Sequence, residues 1–328
     1  MMQQKQITME AQNLTIDFAK NRRSLFGPKQ YLRALNDLNF KMYNNHCLAV
    51  VGESGCGKST TARAITKINS ATQGQILYRG TDISHIKGGE ALSQYRNNVQ
   101  MVFQDPFGSL NPLHTIRYHL TRPLSIYHGL SGSALEDRLE ALLLQVGLTP
   151  VKEVLKKFPH QLSGGQRQRV FLAKTLAIGA EVILADEPTS MLDVSIRIGV
   201  LNLMNQMKHE MNKSFMYITH DIATARYIAE ETLVLYCGHM VEWGGTEEIT
   251  QNPLHPYTQL LLAAVPDPSR SIHEKLPTHR SMETPMWSPE HTGCPYAARC
   301  PHAVGACREY LPEPREVAPN HFVRCHII

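Results

Sequence analysis

Gly52-Glu53-Ser54-Gly55-Cys56-Gly57-Lys58-Ser59 is a GxxxxGKS run whose residue types suit one task, the holding of phosphate groups. Glycines let the backbone curl until successive N–H groups aim at phosphate oxygens, and a helix that follows adds the positive end of its dipole. Lys58 would reach the β- and γ-phosphates of a nucleoside triphosphate, and the Ser59 hydroxyl would complete the coordination of Mg²⁺. The expected nucleotide contacts are Gly52, Ser54, Gly55, Cys56, Gly57, Lys58, Ser59 and Thr60, with Cys56 at a position the pattern leaves variable.

A second chemical segment is Val182–Ala185, continuously apolar, which runs straight into Asp186 and Glu187. Paired carboxylates at the end of a strand buried on both faces need a cation or a proton to handle, because an unpaired buried charge is costly. Asp186 is expected to help hold Mg²⁺, and Glu187 to act as the base that orients and polarises an attacking water. The apolar run Val99–Phe103 ends in Gln104, able to contact Mg²⁺ or that water. Phe215–Thr219 ends in His220, able to donate a hydrogen bond to the γ-phosphate. Ser163-Gly164-Gly165-Gln166 opens an apparent helix over 166–177 and makes a second anion cradle.

Elements must carry these groups to one crevice. The chain to about residue 250 alternates short apolar runs with helix-like stretches, the pattern of a largely parallel sheet covered by helices, whose strand ends face a ligand. Residues 105–174 read as mainly helical, with Leu135, Leu139, Leu142, Leu143 and Val146 at helical spacing. Beyond Asn252 prolines break long elements, although 258–265 could form one helix. Lys20–Gln30 is basic and turn-rich and reads as a solvated loop.

Composition excludes much else. With 328 residues and 42 % hydrophobic side chains, the chain has the material for a large packed core. No apolar run approaches the roughly 18 to 20 residues that cross a bilayer, and no secretory leader is apparent. A net charge of +4 with interspersed signs is too mild for a nucleic-acid binder. The odd count of seven cysteines argues against a secreted disulfide scaffold and for the cytoplasm.

Gly52–Ser59, Gln104, the Leu162–Gln166 run, Asp186-Glu187 and His220 stand in the order of the ATP-binding-cassette (ABC) ATPases, which residues 8–250 closely resemble. The resemblance implies an α/β P-loop NTPase with a RecA-like core, a helical subdomain at about 105–174 and a small cysteine-containing C-terminal extension. The expected division is a nucleotide-binding domain over 1–252 and the extension over 253–328. It further implies that two cassettes meet head to tail, so Ser163, Gly164, Gly165 and Gln166 would complete the partner's ATP site. Ser190-Met191-Leu192-Asp193 is similar to the family's D-loop, with Met191 where alanine is common. Phe18 is the expected adenine-stacking aromatic, Phe26 and Tyr31 being the alternatives.

Residues 104–112 and 252–258 resemble the dipeptide/oligopeptide importer ATPases, and the loop at 20–30 resembles their F-type subunit. The implied assembly is bacterial and peripheral, on the cytoplasmic face of the inner membrane. It holds a second, non-identical ATPase, two transmembrane permease subunits and an extracytoplasmic substrate-binding protein. The same machinery with another cargo (nickel, sugar or haem) or a soluble non-transport ABC ATPase are the alternatives. Cys294, Cys300, Cys307 and Cys325 crowd a segment too small for a core of its own, and four thiolates could hold an iron–sulfur cluster or Zn²⁺ or stay free. Zinc could also recruit His291, His302, His321 or His326. The resemblance implies a [4Fe–4S] cluster.

Overall fold

The structure, a computed structural model, describes residues 6–19, 30–104, 108, 110–265 and 286–328. The chain divides into two compact units, one running up to His85 and resuming at Tyr217, the other spanning Ile86–Met216.

In the first unit, β1 (Ile7–Ala19), β2 (Tyr31–Tyr43), β4 (Gln73–Tyr78) and β5 (Thr81–Asp82) form an antiparallel sheet in the order β2-β1-β4-β5. A second sheet holds β3 (Cys47–Val51), β9 (Glu231–Tyr236), β10 (His239–Gly245), β11 (Arg315–Ala318) and β12 (His321–Val323), neighbouring in the order β11-β12-β10-β9-β3. Every residue of β3 is buried and its pairing with β9 is parallel, as a period-free apolar run requires. Cys237 and Gly238, at φ 45° and 77°, make the two-residue turn between β9 and β10, a geometry whose twist suits a hairpin. A Cβ on Gly238 would lie 2.6 Å from the Ala34 carbonyl oxygen, so the turn has room only for glycine.

The C-terminal extension is built into this unit. β12 pairs with β10, and the buried carboxylate of Glu242 on β10 accepts hydrogen bonds from the Leu254 and His255 N–H groups, both at 2.9 Å, and from His321 Nε2 at 2.8 Å. Three donors compensate the desolvation of one charge, which ties three separate stretches together. The expected helix near 258–265 is α10 (Pro256–Ala263), entered through Pro256 with the His255 side chain accepting from the Tyr257 N–H. Tyr257, Tyr236 and Tyr296 pack with Val51, Val234, Ile222 and Cys300 in one apolar cluster.

The second unit carries β6 (Val99–Val102) and β7 (Val182–Asp186), a parallel pair, and the start of β8 (Ser214–Thr219). The strand expected to end at Phe103 stops one residue earlier. Its helices include α3 (Ile116–His128), α4 (Gly132–Gln145), α5 (Val151–Lys156), α6 (Gly164–Ile178) and α7 (Val194–Glu210). Of the stripe read from spacing, Leu139, Leu142 and Leu143 on α4 and the following Val146 are fully buried, while Leu135 one turn earlier is half-buried. No helix among the described residues is long and apolar enough to cross a membrane.

Candidate functional site

In the first unit, the loop from Gly52 to Gly57 joins β3 to α1 (Lys58–Ile65). The Lys58 side chain is buried, and its Nζ donates to the carbonyl oxygens of Gly52 at 2.7 Å and Glu53 at 2.8 Å. The loop therefore curls around the ammonium group. Gly57, at φ 108°, precedes α1 with no side chain capping the helix, and a Cβ there would sit 2.6 Å from the Ala34 carbonyl oxygen. At Gly52 a Cβ would sit 2.2 Å from the Leu235 carbonyl oxygen. Ser54 and Gly55 are exposed, and Ser59 and Thr60 half-buried on the first turn of α1. Cys56 is buried behind the loop, and its carbonyl accepts from the Gly238 N–H at 2.8 Å. Burial pushes the Cys56 thiol up and that of nearby Cys237 up to about 12, which favours the neutral form of both.

His220 follows β8 directly and is exposed, while the Asp221 side chain accepts from the N–H groups of Ala223 and Thr224 and so starts the next helix. Phe18 and Tyr31 stand at one end of the β1–β2 pair, where Phe18 faces Leu32 and Ala19 faces Tyr31, and both rings are exposed. Phe26 and most of the Lys20–Gln30 loop lie outside the described residues, as do Asp105, Pro106, Phe107 and Ser109.

In the second unit, Asp186 is the buried last residue of β7 and Glu187 comes next at φ 46°. A non-glycine residue in the left-handed region is costly and persists only where its surroundings hold it. The Glu187 carbonyl accepts from the Ser190 N–H and hydroxyl, at 3.2 and 3.0 Å, while Gln104 Nε2 donates to its carboxylate at 3.1 Å. Gln104 and Glu187, 83 residues apart in sequence, are thus brought into contact. Gln104 and Asp186 both carry oxygen atoms of the hard kind that Mg²⁺ takes.

At the start of α6, Ser163 and Gln166 form a reciprocal cap: the Ser163 Oγ accepts from the Gln166 N–H at 3.3 Å, and the Ser163 N–H donates to Gln166 Oε1 at 3.1 Å. A Cβ on Gly165 would fall 2.2 Å from Ile196 Cγ2, so the glycine lets α6 press against α7. Asp193 is exposed at the N-cap of α7 with Met191, also exposed, just before it.

The tail cysteines are four free thiols in the first unit. Cys294 and Cys307 are joined by a 2.7 Å backbone hydrogen bond, and Cys300, Cys307 and Cys325 all lie near enough to raise the Cys294 thiol, burial being the larger cause. Yet no group of three or more His, Cys, Asp or Glu side chains among the described residues is placed to hold a metal ion. The expected ligand set therefore does not converge. Burial pushes the Cys294 thiol up to about 12, and Cys300 packs beside the tyrosines of the apolar cluster.

Sequence reasoning missed the groups behind the cradle. The Tyr257 hydroxyl accepts from the Glu53 N–H at 2.7 Å, and Arg299 pairs with the Glu53 carboxylate across 246 residues of chain. No local pattern signals either contact.

Cradle and fold together define a P-loop nucleotide-binding cassette. The family model described as "ABC transporter" matches residues 35–190, and that described as "Oligopeptide/dipeptide transporter, C-terminal region" matches residues 241–307. The chain is 41 % identical over 299 residues to the oligopeptide transport ATP-binding protein AppF of Bacillus subtilis (strain 168), covering 90 % of each chain. It is 39 % identical over 330 residues to the oligopeptide transport ATP-binding protein OppF of Salmonella typhimurium (strain LT2), covering 98 % of this chain and 97 % of that one. Among solved structures, the dimeric post-hydrolysis state of the ATP-binding cassette MJ0796 bound to ADP and Pi superposes with a TM-score of 0.63 at 28 % identity, over 73 % of this chain and 98 % of that chain. The chain belongs to the ABC transporter ATPases, in the family of oligopeptide and dipeptide transport ATP-binding proteins.

Proposed function

We propose that this ABC ATPase energises uptake of dipeptides or oligopeptides across a bacterial inner membrane, working peripherally on its cytoplasmic face. The observation that carries the reading is the double match: similarity to peptide-transport ATPases covers at least nine-tenths of the chain, and it includes the C-terminal region described by its own family model. We divide the chain at about residue 252 into nucleotide-binding domain and extension. Passage of cargo is assigned to two permease subunits fed by a binding protein, and the second cassette to a non-identical ATPase.

In the proposed reaction a water attacks the γ-phosphoryl group in line. Glu187 takes the water's proton while Gln104 holds its carboxylate, and Lys58 and His220 meet the charge that develops on the phosphoryl oxygens. Mg²⁺, when bound with the nucleotide, neutralises phosphate charge, and Ser59, Asp186 and Gln104 would hold it. Gly52 and Ser54–Thr60 cradle the phosphates, and Phe18 stacks on adenine. Ser163, Gly164, Gly165 and Gln166, with Asp193, complete the site of the partner cassette.

Affinity purification of the tagged chain from solubilised membranes is expected to recover two membrane subunits and a second ATPase. Vesicles rebuilt from that complex with its binding protein are expected to take up a short peptide only when ATP is supplied. Recovery of the chain without membrane proteins would favour a soluble ABC ATPase, and uptake of nickel, sugar or haem instead would replace the cargo.

The four tail thiols support a narrower proposal, a [4Fe–4S] cluster held by Cys294, Cys300, Cys307 and Cys325, which requires their side chains to turn toward a common centre. No step of the reaction passes through it. Anaerobically purified protein is expected to contain iron and acid-labile sulfide in equal amounts and to lose both in a Cys300→Ser variant. Zinc alone, or no metal, would reject the cluster.

A further inference from the structure

Glu53 is the first variable residue of the phosphate loop, and it puts a carboxylate into a stretch of chain whose task is to receive a polyanion. That charge by itself opposes nucleotide binding. The structure shows what offsets it. Arg299, on the segment between Cys294 and Cys300, reaches the loop and grips the carboxylate at both oxygens: Nη1 donates to Oε2 at 2.6 Å and Nη2 to Oε1 at 3.0 Å. Such a two-point pair is the strongest and most directional that arginine makes. The guanidinium is itself held, with its side chain 8 % exposed, between the rings of Tyr236 and Tyr296 at 5.7 and 5.8 Å, and it donates weakly to the Tyr236 hydroxyl at 3.4 Å. From the same side the Tyr257 hydroxyl takes the Glu53 N–H at 2.7 Å. The Glu53 carbonyl in turn accepts from Lys58 Nζ. One residue of the loop therefore touches the C-terminal extension with its carboxylate and its N–H, and the phosphate-reading lysine with its carbonyl.

We propose that Arg299 is a positioning residue for the nucleotide site: by neutralising Glu53 it sets the charge that the phosphate loop presents, so that seating of the C-terminal extension governs ATP affinity. The inference rests on the reading of residues 52–60 as the nucleotide's cradle. It deepens that reading by giving the extension a part in nucleotide binding that is independent of any metal on its cysteines. Arg299 touches no reacting atom. Its effect falls on binding, and turnover at saturating ATP changes little.

The charge argument makes the two halves of the pair act in opposite directions, which a purely structural role would not. ATP affinity is to be measured with Mg²⁺ and the full chain, in wild type, Arg299→Gln, Glu53→Gln, the double variant and Arg299→Lys. Arg299→Gln leaves the carboxylate unopposed and is expected to weaken ATP binding about tenfold, raising KM with kcat nearly constant. The deficit shrinks at high salt, because repulsion between like charges is screened. Glu53→Gln keeps the shape of the side chain but removes its charge, and is expected to bind ATP as tightly as wild type or more so. The double variant returns to near wild-type affinity, and Arg299→Lys, which keeps the charge but loses the two-point grip, falls between. If Arg299→Gln does not fold, Glu53→Gln and Arg299→Lys still decide. Equal weakening by Glu53→Gln and Arg299→Gln, with no recovery in the double variant, overturns the proposal, as does unchanged affinity in Arg299→Gln. A Lys58→Ala control separates the two levels. Normal ATP binding there would bring down the cradle itself, whereas a defect there with unaffected Arg299 and Glu53 variants would bring down only the role of Arg299.

Discussion

Replacing Glu187 by glutamine is expected to leave ATP affinity within about twofold of wild type and to lower kcat by about three orders of magnitude. The variant removes one function and little else. Glutamine fills the same volume, and its amide oxygen can still accept the hydrogen bond that Gln104 Nε2 donates at 3.1 Å. The backbone at φ 46° is anchored through the Glu187 carbonyl by Ser190, which does not depend on the side chain. What glutamine cannot do is take a proton from water. A general base contributes about 10²- to 10⁴-fold to a rate, and the loop proposed to cradle ATP belongs to a different stretch of chain. Single-turnover hydrolysis and equilibrium ATP binding on the same preparation check the result. Hydrolysis at the wild-type rate would remove Glu187 from the role of base, and a parallel loss of binding would show that it holds the nucleotide instead.

Lys58→Ala is expected to weaken ATP binding by about two orders of magnitude and to abolish measurable hydrolysis at millimolar ATP. The argument begins with burial. Lysine is seldom buried, yet Lys58 is 5 % exposed and its ammonium is wrapped by the Gly52 and Glu53 carbonyls. An ammonium fixed in that way meets a phosphate at little further cost in side-chain entropy and from a partly dry environment, where one charge is worth about 3 kcal/mol against another. Alanine removes that charge and leaves both carbonyls without this donor, so the loop also loosens. Isothermal titration with ATP and Mg²⁺ reads the effect, with thermal unfolding as the control for folding. Wild-type affinity in this variant would mean that the loop does not receive the phosphates.

Both predictions rest on groups that short-range pattern makes visible. A phosphate loop is contiguous, so GxxxxGKS names its members without any knowledge of what packs behind them. Asp186 and Glu187 are visible because two acids directly after a four-residue apolar run have few explanations. The helical stripe of α4 is legible for the same reason, since it is governed by spacings of three and four residues, whereas the reciprocal Ser163–Gln166 cap emerges only in the structure. The antiparallel pairing of β1 and β2 was not anticipated. Its register shifts near Ile7–Met9 and at Ala11–Asp17, with Asn13 at φ 50°, break the alternation that announces a strand.

What the linear order of residues determined here is the chemistry: which atoms can bind phosphate, which can take a proton, and which stretch carries thiols. Only the tertiary structure decided what stands behind that chemistry. Arg299 meets Glu53 across 246 residues, Tyr257 reaches the same residue across 204, and Glu242 gathers His321 from 79 residues away. The tail cysteines lie close yet form no metal cage among the described residues, and their spacing does not encode where the side chains point. The physical reason is common to all four. Local propensity and periodicity act over a few residues, whereas the pairing of buried charges and the packing of thiols are set by whichever distant segments the hydrophobic core brings together.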